Sequence, residues 1–485
     1  MYSDTRKLHF RGCKWTRLAR ACYRRRQNRR EISPSFVLVS GPRRFFLSSS
    51  STDNNKAEAR QEIAVSSSSR PRYFAALLDL KVFDAMRHPE YRLLWIGNVF
   101  SSMATWMDQV TRGWLIYELT NSSFQLGLVR GVQALPILLL SPIAGSTADR
   151  YSRKAQVMIA LAVDGLLYGL LALLIFAGTI EPWHVYITAA IMACVWTFQQ
   201  PSRASMVSDS VPPESLTNAI GLNAMMFNVA RITGPAIAGI IIATWSTAGA
   251  YAVQAVFYAL ATIWTIKLRP ETRSPSGAHA PGGHHEGFLQ SIVDGWKFSW
   301  RNIEVRTGLL VVAYASFFII PFNTLLPVFA RDLLGVGAKG QGLLLTSMGI
   351  GALASSVLIA SLGDRMPRGI LMIGGVGVYG LLVVVFALST WFPLSMALMA
   401  VMGLCHVASH ALVQTVIQAY SPREFRGRTM ALFHQTHVIL MVGGLIIGAL
   451  ASAIGAQGAT AVMSFVGALC MFGLYVFSPR ARRIK

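Results

Sequence analysis

Charge is what this 485-residue chain lacks: only 14% of its residues are Asp, Glu, Lys or Arg, whereas 53% are hydrophobic. A soluble domain carries about a quarter charged residues, so a water-soluble globule is excluded. Cysteine is scarce as well. Cys13, Cys22, Cys194, Cys405 and Cys470 are too dispersed for a disulfide framework or zinc spacing, and they read as small apolar packers. The apolar runs hold no H-E-x-x-H, no nucleophile elbow and no Walker A loop, which argues against an enzyme and against ATP drive. The lone glycine-rich match, GGVGVYG at 374–380, sits inside an apolar run and reads as helix packing. No cofactor and no metal site is expected.

What the chain does have is long apolar runs. VMIALAVDGLLYGLLALLIFAG (157–178) contains a single charge and AVMSFVGALCMFGLYVF (461–477) contains none. A helical span needs about 20 apolar residues. The runs lack the alternation of barrel strands, which leaves helices as the only way to cross a bilayer. Twelve spans are expected, near 91–117, 123–148, 156–178, 182–207, 216–244, 247–268, 305–331, 340–362, 369–389, 392–420, 424–451 and 456–478. The fold class is therefore an all-α membrane protein. Loop charges fit that count with both termini in the cytoplasm. One set of loops holds Arg150, Arg153, Lys154, Arg203, Arg365, Arg368, Arg423, Arg426 and Arg428, the other only Arg331 and Lys339.

Half of the net charge of +22 comes from residues 1–90, which carry 19 Lys/Arg against 8 Asp/Glu. Residues 1–86 are basic and Ser-rich without an apolar run, so they are not a secretory signal. An organelle transit peptide, a disordered arm near anionic lipid and a start placed too far upstream all remain open. Nucleic-acid binding is not needed to explain this charge. A second polar segment, 269–287, contains His284 and His285 and reads as a solvated linker. FLQSIVDGWKFSW (288–300) follows with helical amphipathicity, as expected of a helix on the cytoplasmic membrane surface. These breaks divide the chain into a leader (1–86), a six-span half (87–268), a linker (269–304), a second six-span half (305–478) and a basic tail (479–485).

The two halves repeat one another. AGSTADRYSRK (144–154) follows span 2 and IASLGDRMPRG (359–369) follows span 8, with Asp-Arg-x-x-Arg kept. VPPESLTNAIGLN (211–223) opens span 5 and SPREFRGRTMALF (421–433) opens span 11. Gly145, Asp149, Arg150, Arg153 and Lys154 resemble the major facilitator loop signature G-x-x-x-D-R-x-x-R-K. GWLIYELTNSS (113–123), QALPILLLSPIAG (133–145), FQQPSR (198–203), LTNAIGLN (216–223) and ARITGPAIAG (230–239) resemble the prokaryotic branch of enterobactin-type and macrolide exporters, the transmembrane secretion effectors. The resemblance covers about residues 87–478 and selects no substrate. It implies two pseudo-symmetric six-helix bundles with a substrate site between them near the midplane.

The resemblance also implies a cytoplasmic gate in which Asp149 meets Arg426 and Arg428 near the start of span 11. By pseudo-symmetry Asp364, flanked by Arg365 and Arg368, should meet a base near span 5. That segment has none, so Arg203 is the expected substitute. Orientation by positive charge alone is the alternative. ARITGPAIAG is similar to the antiporter signature G-x-x-x-G-P-x-x-G-G, with Ala230 and Ala238 replacing two glycines. Gly234 and Gly239 permit close helix approach, and Pro235 removes a backbone hydrogen bond. Ordinary small-residue packing explains the same residues.

Span 1 can be read without the family. Asn98, Ser101, Thr105, Asp108 and Arg112 recur at steps of three and four on one helical face, which should line a wet cavity. Asp108 and Arg112 can also pair at i,i+4. Arg130 on span 2 lies as deep as Arg112, roughly 9 Å below the outer surface at 1.5 Å per residue. That leaves an excess of positive charge for an anionic or electron-rich ligand, unless Glu118 absorbs it. A structural tie between spans 1 and 2 is the plain alternative. Other polar groups inside spans are Gln133, Asp164, Gln199, Gln200, Arg231, His406, His410, His434 and His437. The resemblance places Gln199, Gln200, His406 and His410 among cavity-lining positions.

Proton coupling needs an intramembrane acid that can take up and release a proton, its neutral form favoured by burial and its ionised form by a neighbouring cation. Asp108 beside Arg112 fits best. Span 4 departs from the family by lacking the mid-helix arginine that many drug–proton antiporters use. The expectation is a monomeric, proton-coupled exporter of a small organic compound in the cell membrane, or in an organelle membrane if the leader is a transit peptide. The partners expected are a small-molecule substrate, protons and the bilayer, with no nucleic acid. A proton-coupled importer on the same fold, and a non-transporting membrane enzyme or receptor-like protein, are the rival readings.

Overall fold

The computed structural model describes residues 81–269, 288–362, 367–482 and 484. Its regular elements among these residues are all helical. Helices α1 (Pro89–Thr120), α2 (Ser123–Arg150), α3 (Arg153–Phe176), α4 (Pro182–Asp209), α5 (Leu216–Thr244) and α6 (Thr247–Ile266) form the N-terminal half. Then come the short α7 (Phe288–Arg301) and, in the C-terminal half, α8 (Ile303–Leu333), α9 (Gly337–Leu362), α10 (Arg368–Leu388), α11 (Phe392–Tyr420) and α12 (Arg423–Phe477). Nine of the described helices are long and apolar enough to cross a membrane. Helices α1 and α4 fall outside that set although they have 32 and 28 residues, because they carry the polar groups discussed below.

Helix ends follow local chemistry. Proline sits in the first turn of α1, α4 and α11, where no intrahelical N–H is needed. Ser152, Ser246 and Asn302 accept backbone N–H groups at the starts of α3, α6 and α8. Asn121 closes α1 in the left-handed region, with φ 48°. Helix α12 is two limbs joined at Gly455, whose φ of 77° suits glycine. That break coincides with the expected gap between the last two spans.

Helix α8 departs from regular α geometry. It runs through a π segment at Ala315–Ile319, a 3-10 segment at Ile320–Leu325 and a second π segment at Phe329–Leu333. Pro321 and Pro327 each withhold a backbone donor from the ladder there.

The packing repeats between halves: α2 lies on α4 and α9 on α11, while α3 lies on α6 and α10 on α12. Across the halves, α5 packs on α9 and α2 on the first limb of α12. Large apolar side chains face outward along the helices, for example Leu166, Leu173 and Phe472, as lipid contact requires. The chain is a multi-pass membrane protein. Residues 81–87, all but Arg87 counted with the leader on sequence grounds, form a 3-10 turn against the start of α5. Ala85 donates its N–H to Asn218 at 2.9 Å, and Ser215 donates to Asp84 at 2.7 Å. His284 and His285 lie outside the described residues.

Candidate functional site

Asp108 and Arg112 form the expected pair, Nε to Oδ2 at 2.9 Å, with the arginine side chain 5% exposed. Arg112 also donates from Nη2 to the thioether of Met192 on α4. The second carboxylate oxygen, Oδ1, and the third guanidinium nitrogen, Nη1, are buried without partners. The pair thus keeps one acceptor oxygen and one donor nitrogen in reserve.

Arg130 joins it from α2, donating to Gln109 at 3.1 Å and to Gln133 at 3.4 Å. Asp108, Arg112 and Arg130 line one cleft of about 370 Å³, open solvent included, together with Gln109 and Gly113. Its opposite wall is Asn323, Thr324 and Pro327 of the irregular part of α8, so both halves contribute. The broken ladder there turns polar side chains toward the cleft. Glu118 does not reach these arginines and instead accepts a hydrogen bond from Thr247 at 2.9 Å.

The rest of the span 1 stripe turns into the N-terminal half and away from this cleft. Asn98 is buried against Asn223 of α5, and Thr105 bonds to Tyr258 of α6 at 3.0 Å. Ser101 is buried and donates to the carbonyl of Asn98. Periodicity identified one face, but the helix rotation that decides what the face meets is set by packing.

Gln199 is buried, with an Nε2 that has no acceptor, and Gln200 is exposed. Asp164 leaves Oδ1 unpartnered, and it lies within electrostatic reach of Arg203, whose Nε is unpartnered too. His406 and His410 border a second cleft of about 240 Å³ walled by valines of α8, α10 and α11. His434 stacks edge-on against Phe433, and His437 lies 5.9 Å from the ring of Trp196. Arg231 lies on α5, its guanidinium 6.0 Å from the Trp106 ring.

Within the expected gate, Gly145, Asp149 and Arg150 belong to the last turns of α2. Arg153 pairs with Asp209 at the end of α4, and Lys154 donates to the carbonyls of Ile266 and Leu268 at the end of α6. Both ties stay within the N-terminal half. Arg368 begins α10. Arg426 is exposed in the first turns of α12, and Arg428 lies 5.3 Å from the Phe425 ring. Asp364 and Arg365 lie outside the described residues.

Gly234, Pro235 and Gly239 stitch α5 to two neighbours. A Cβ on Gly234 would stand 2.7 Å from that of Trp106 on α1, and one on Gly239 2.6 Å from the Ala338 carbonyl oxygen on α9. Contacts invisible to sequence reading close the same end of the molecule. Tyr117 of α1 donates to Asp332 of α8, and Arg331 lies 5.5 Å from the Tyr117 ring.

Comparison with known proteins matches this architecture. The staphyloferrin A transporter of Staphylococcus aureus is 23% identical over 81% of this chain and 95% of its own length. The multidrug efflux pump Tap of Mycobacterium tuberculosis is 26% identical over 76% and 88%. In fold, a bacterial homolog of the human lysosomal transporter Spinster, solved inward-facing and unoccupied, superposes with a TM-score of 0.63 at 14% identity, covering 81% of this chain and 95% of that one. The model of the transmembrane secretion effectors matches residues 81–481, and the chain belongs to that family of major facilitator transporters.

Proposed function

We propose that this protein is a secondary transporter that exports a small organic compound across the cell membrane by proton antiport and alternating access. Its twelve spans are α1–α6, α8–α11 and the two limbs of α12, arranged as two six-helix bundles with both termini in the cytoplasm. The efflux role named for relatives such as Tap supports export. The observation that carries the coupling is the Asp108–Arg112 pair with one open oxygen and one open nitrogen beside a cleft shared by the two halves.

The ionised carboxylate of Asp108, held by Arg112, offers its open Oδ1 to a donor on the substrate. A proton on Asp108 removes that acceptor, and substrate binding there expels the proton. Proton and substrate thus exclude one another at a shared carboxylate, which is the requirement of antiport. With the positive loops inside, the end bearing Asn121 is the outer one. The seams at Gly239–Gly342 and Gly127–Gly448 and the Tyr117–Asp332 bond support reading this conformation as closed outward. A cytoplasmic gate formed by Asp149, Asp364 and their arginines would close the other face.

Vesicles of defined orientation test direction. An imposed proton gradient should drive ethidium or erythromycin into inverted vesicles. Gradient-driven uptake confined to right-side-out vesicles would sink the export reading and favour the importer.

A further inference from the structure

One intramembrane arginine has no counter-charge. Arg231 stands at the middle of the 29-residue helix α5. None of the ion pairs among the described residues includes it. Its Nε and Nη2 are buried and have no acceptor. The other intramembrane arginines differ: Arg112 has Asp108, Arg130 has two glutamines, and Arg203 feels the carboxylate of Asp164.

What surrounds Arg231 adds donors and aromatic surface. Trp106 lies 6.0 Å from the guanidinium, and its Nε1 is likewise buried without an acceptor. Phe227 meets that indole edge-on at 5.4 Å. From the C-terminal half, His406 and His410 lie within electrostatic reach of Arg231. Three buried donor atoms with no acceptor, two of them on one charged guanidinium, are half of a binding site. A buried charged donor left unpaired is among the most costly arrangements in a protein. The guanidinium fork matches a two-oxygen anion, and the indole and phenyl faces suit an organic body beside it. A lipid phosphate cannot be that anion, because mid-helix on α5 lies about 20 Å from either membrane surface.

We propose that Arg231 and Trp106 anchor a carboxylate of transported compounds, so that the substrates include organic acids. This rests on the transporter reading but not on its direction or its coupling.

The test is binding to the purified full-length protein in maltoside micelles, using matched pairs of probes: benzoate and benzamide, 2-naphthoate and 2-naphthamide, citrate and its triamide. At least one carboxylate should bind about tenfold or more tighter than its amide. Arg231→Gln should abolish that preference while leaving amide affinity within about twofold, and Arg231→Lys should keep part of it. Trp106→Phe, which deletes one donor and keeps the aromatic face, should reduce the preference about threefold; it remains informative if Arg231→Gln does not fold. No preference in any pair, no binding of any carboxylate, or a preference that survives Arg231→Gln would overturn the proposal. Vesicle export of a neutral probe, with no Arg231-dependent carboxylate binding in any pair, would leave the transporter reading standing and remove this one. Arg231-dependent carboxylate binding without vesicle transport would do the reverse.

Discussion

Gly239 on α5 and Gly342 on α9 meet backbone to backbone. A methyl group on Gly239 would stand 3.2 Å from the Cα of Gly342, and one on Gly342 would stand 2.5 Å from the carbonyl oxygen of Pro235. On the other side of the molecule, a Cβ on Gly127 would lie 2.9 Å from the Cα of Gly448. These two seams join the halves at the Asn121 end, and small residues are what permit such contact without a hydrophobic drive between helices.

Gly342→Val should force α5 and α9 apart and open that end. The check is a cysteine in place of Leu126, which lines the cleft and is 2% exposed. Its reaction with an impermeant maleimide added from the Asn121 side should speed up several-fold in the glycine variant. An unchanged rate would show that the seam does not hold the closure.

Tyr117→Phe removes the hydrogen bond to Asp332 and keeps the ring beneath Arg331. Loss of about 1 kcal/mol from one conformation shifts the balance about fivefold. Spin labels at Asn121 and Lys339, both exposed, should report a larger population of long distances. An identical distance distribution would mean that the bond is incidental to closure.

Asp108→Ala strands Arg112, which is only 4% exposed, and should cost about 3–5 kcal/mol in unfolding free energy. The double replacement Asp108→Leu with Arg112→Met removes both charges together and should lie within about 1–2 kcal/mol of the parent. Thermal unfolding in detergent supplies the cycle. Additive losses would show that the two side chains are not energetically paired.

The Arg153–Asp209 bridge is a contrast case, since its side chains are 31% and 51% exposed. Asp209→Asn should therefore change stability by no more than about 1 kcal/mol in the same unfolding assay. A loss comparable to that of Asp108→Ala would contradict the distinction drawn between buried and solvated pairs.

Sequence reasoning reached the helices because apolar runs of sufficient length admit little else in a membrane. It reached the Asp108–Arg112 pair because i,i+4 spacing is local, and it brought in Arg130 because depth can be counted along two antiparallel spans. It failed where rotation or irregular backbone decides. The stripe from Asn98 to Thr105 shares a face with Asp108, yet it packs against α5 and α6. Asn323 and Thr324 reach the cleft through π and 3-10 distortions in α8 that proline content hints at but does not position. Tyr117–Asp332 and Trp106–Arg231 join residues far apart in sequence, and no periodicity encodes such meetings. Lys154 donates to the carbonyls at the end of α6, a long-range contact that no spacing encodes, because the carbonyls of a helix terminus attract a cation.

The claim that matters most is that Asp108 exchanges a proton against substrate at its own carboxylate. Proton release on addition of an exported compound to weakly buffered purified protein measures this directly, with the same titration on Asp108→Asn. Stoichiometric release is expected from the parent and none from the variant, with the compound still bound. Undiminished release from Asp108→Asn would contradict it.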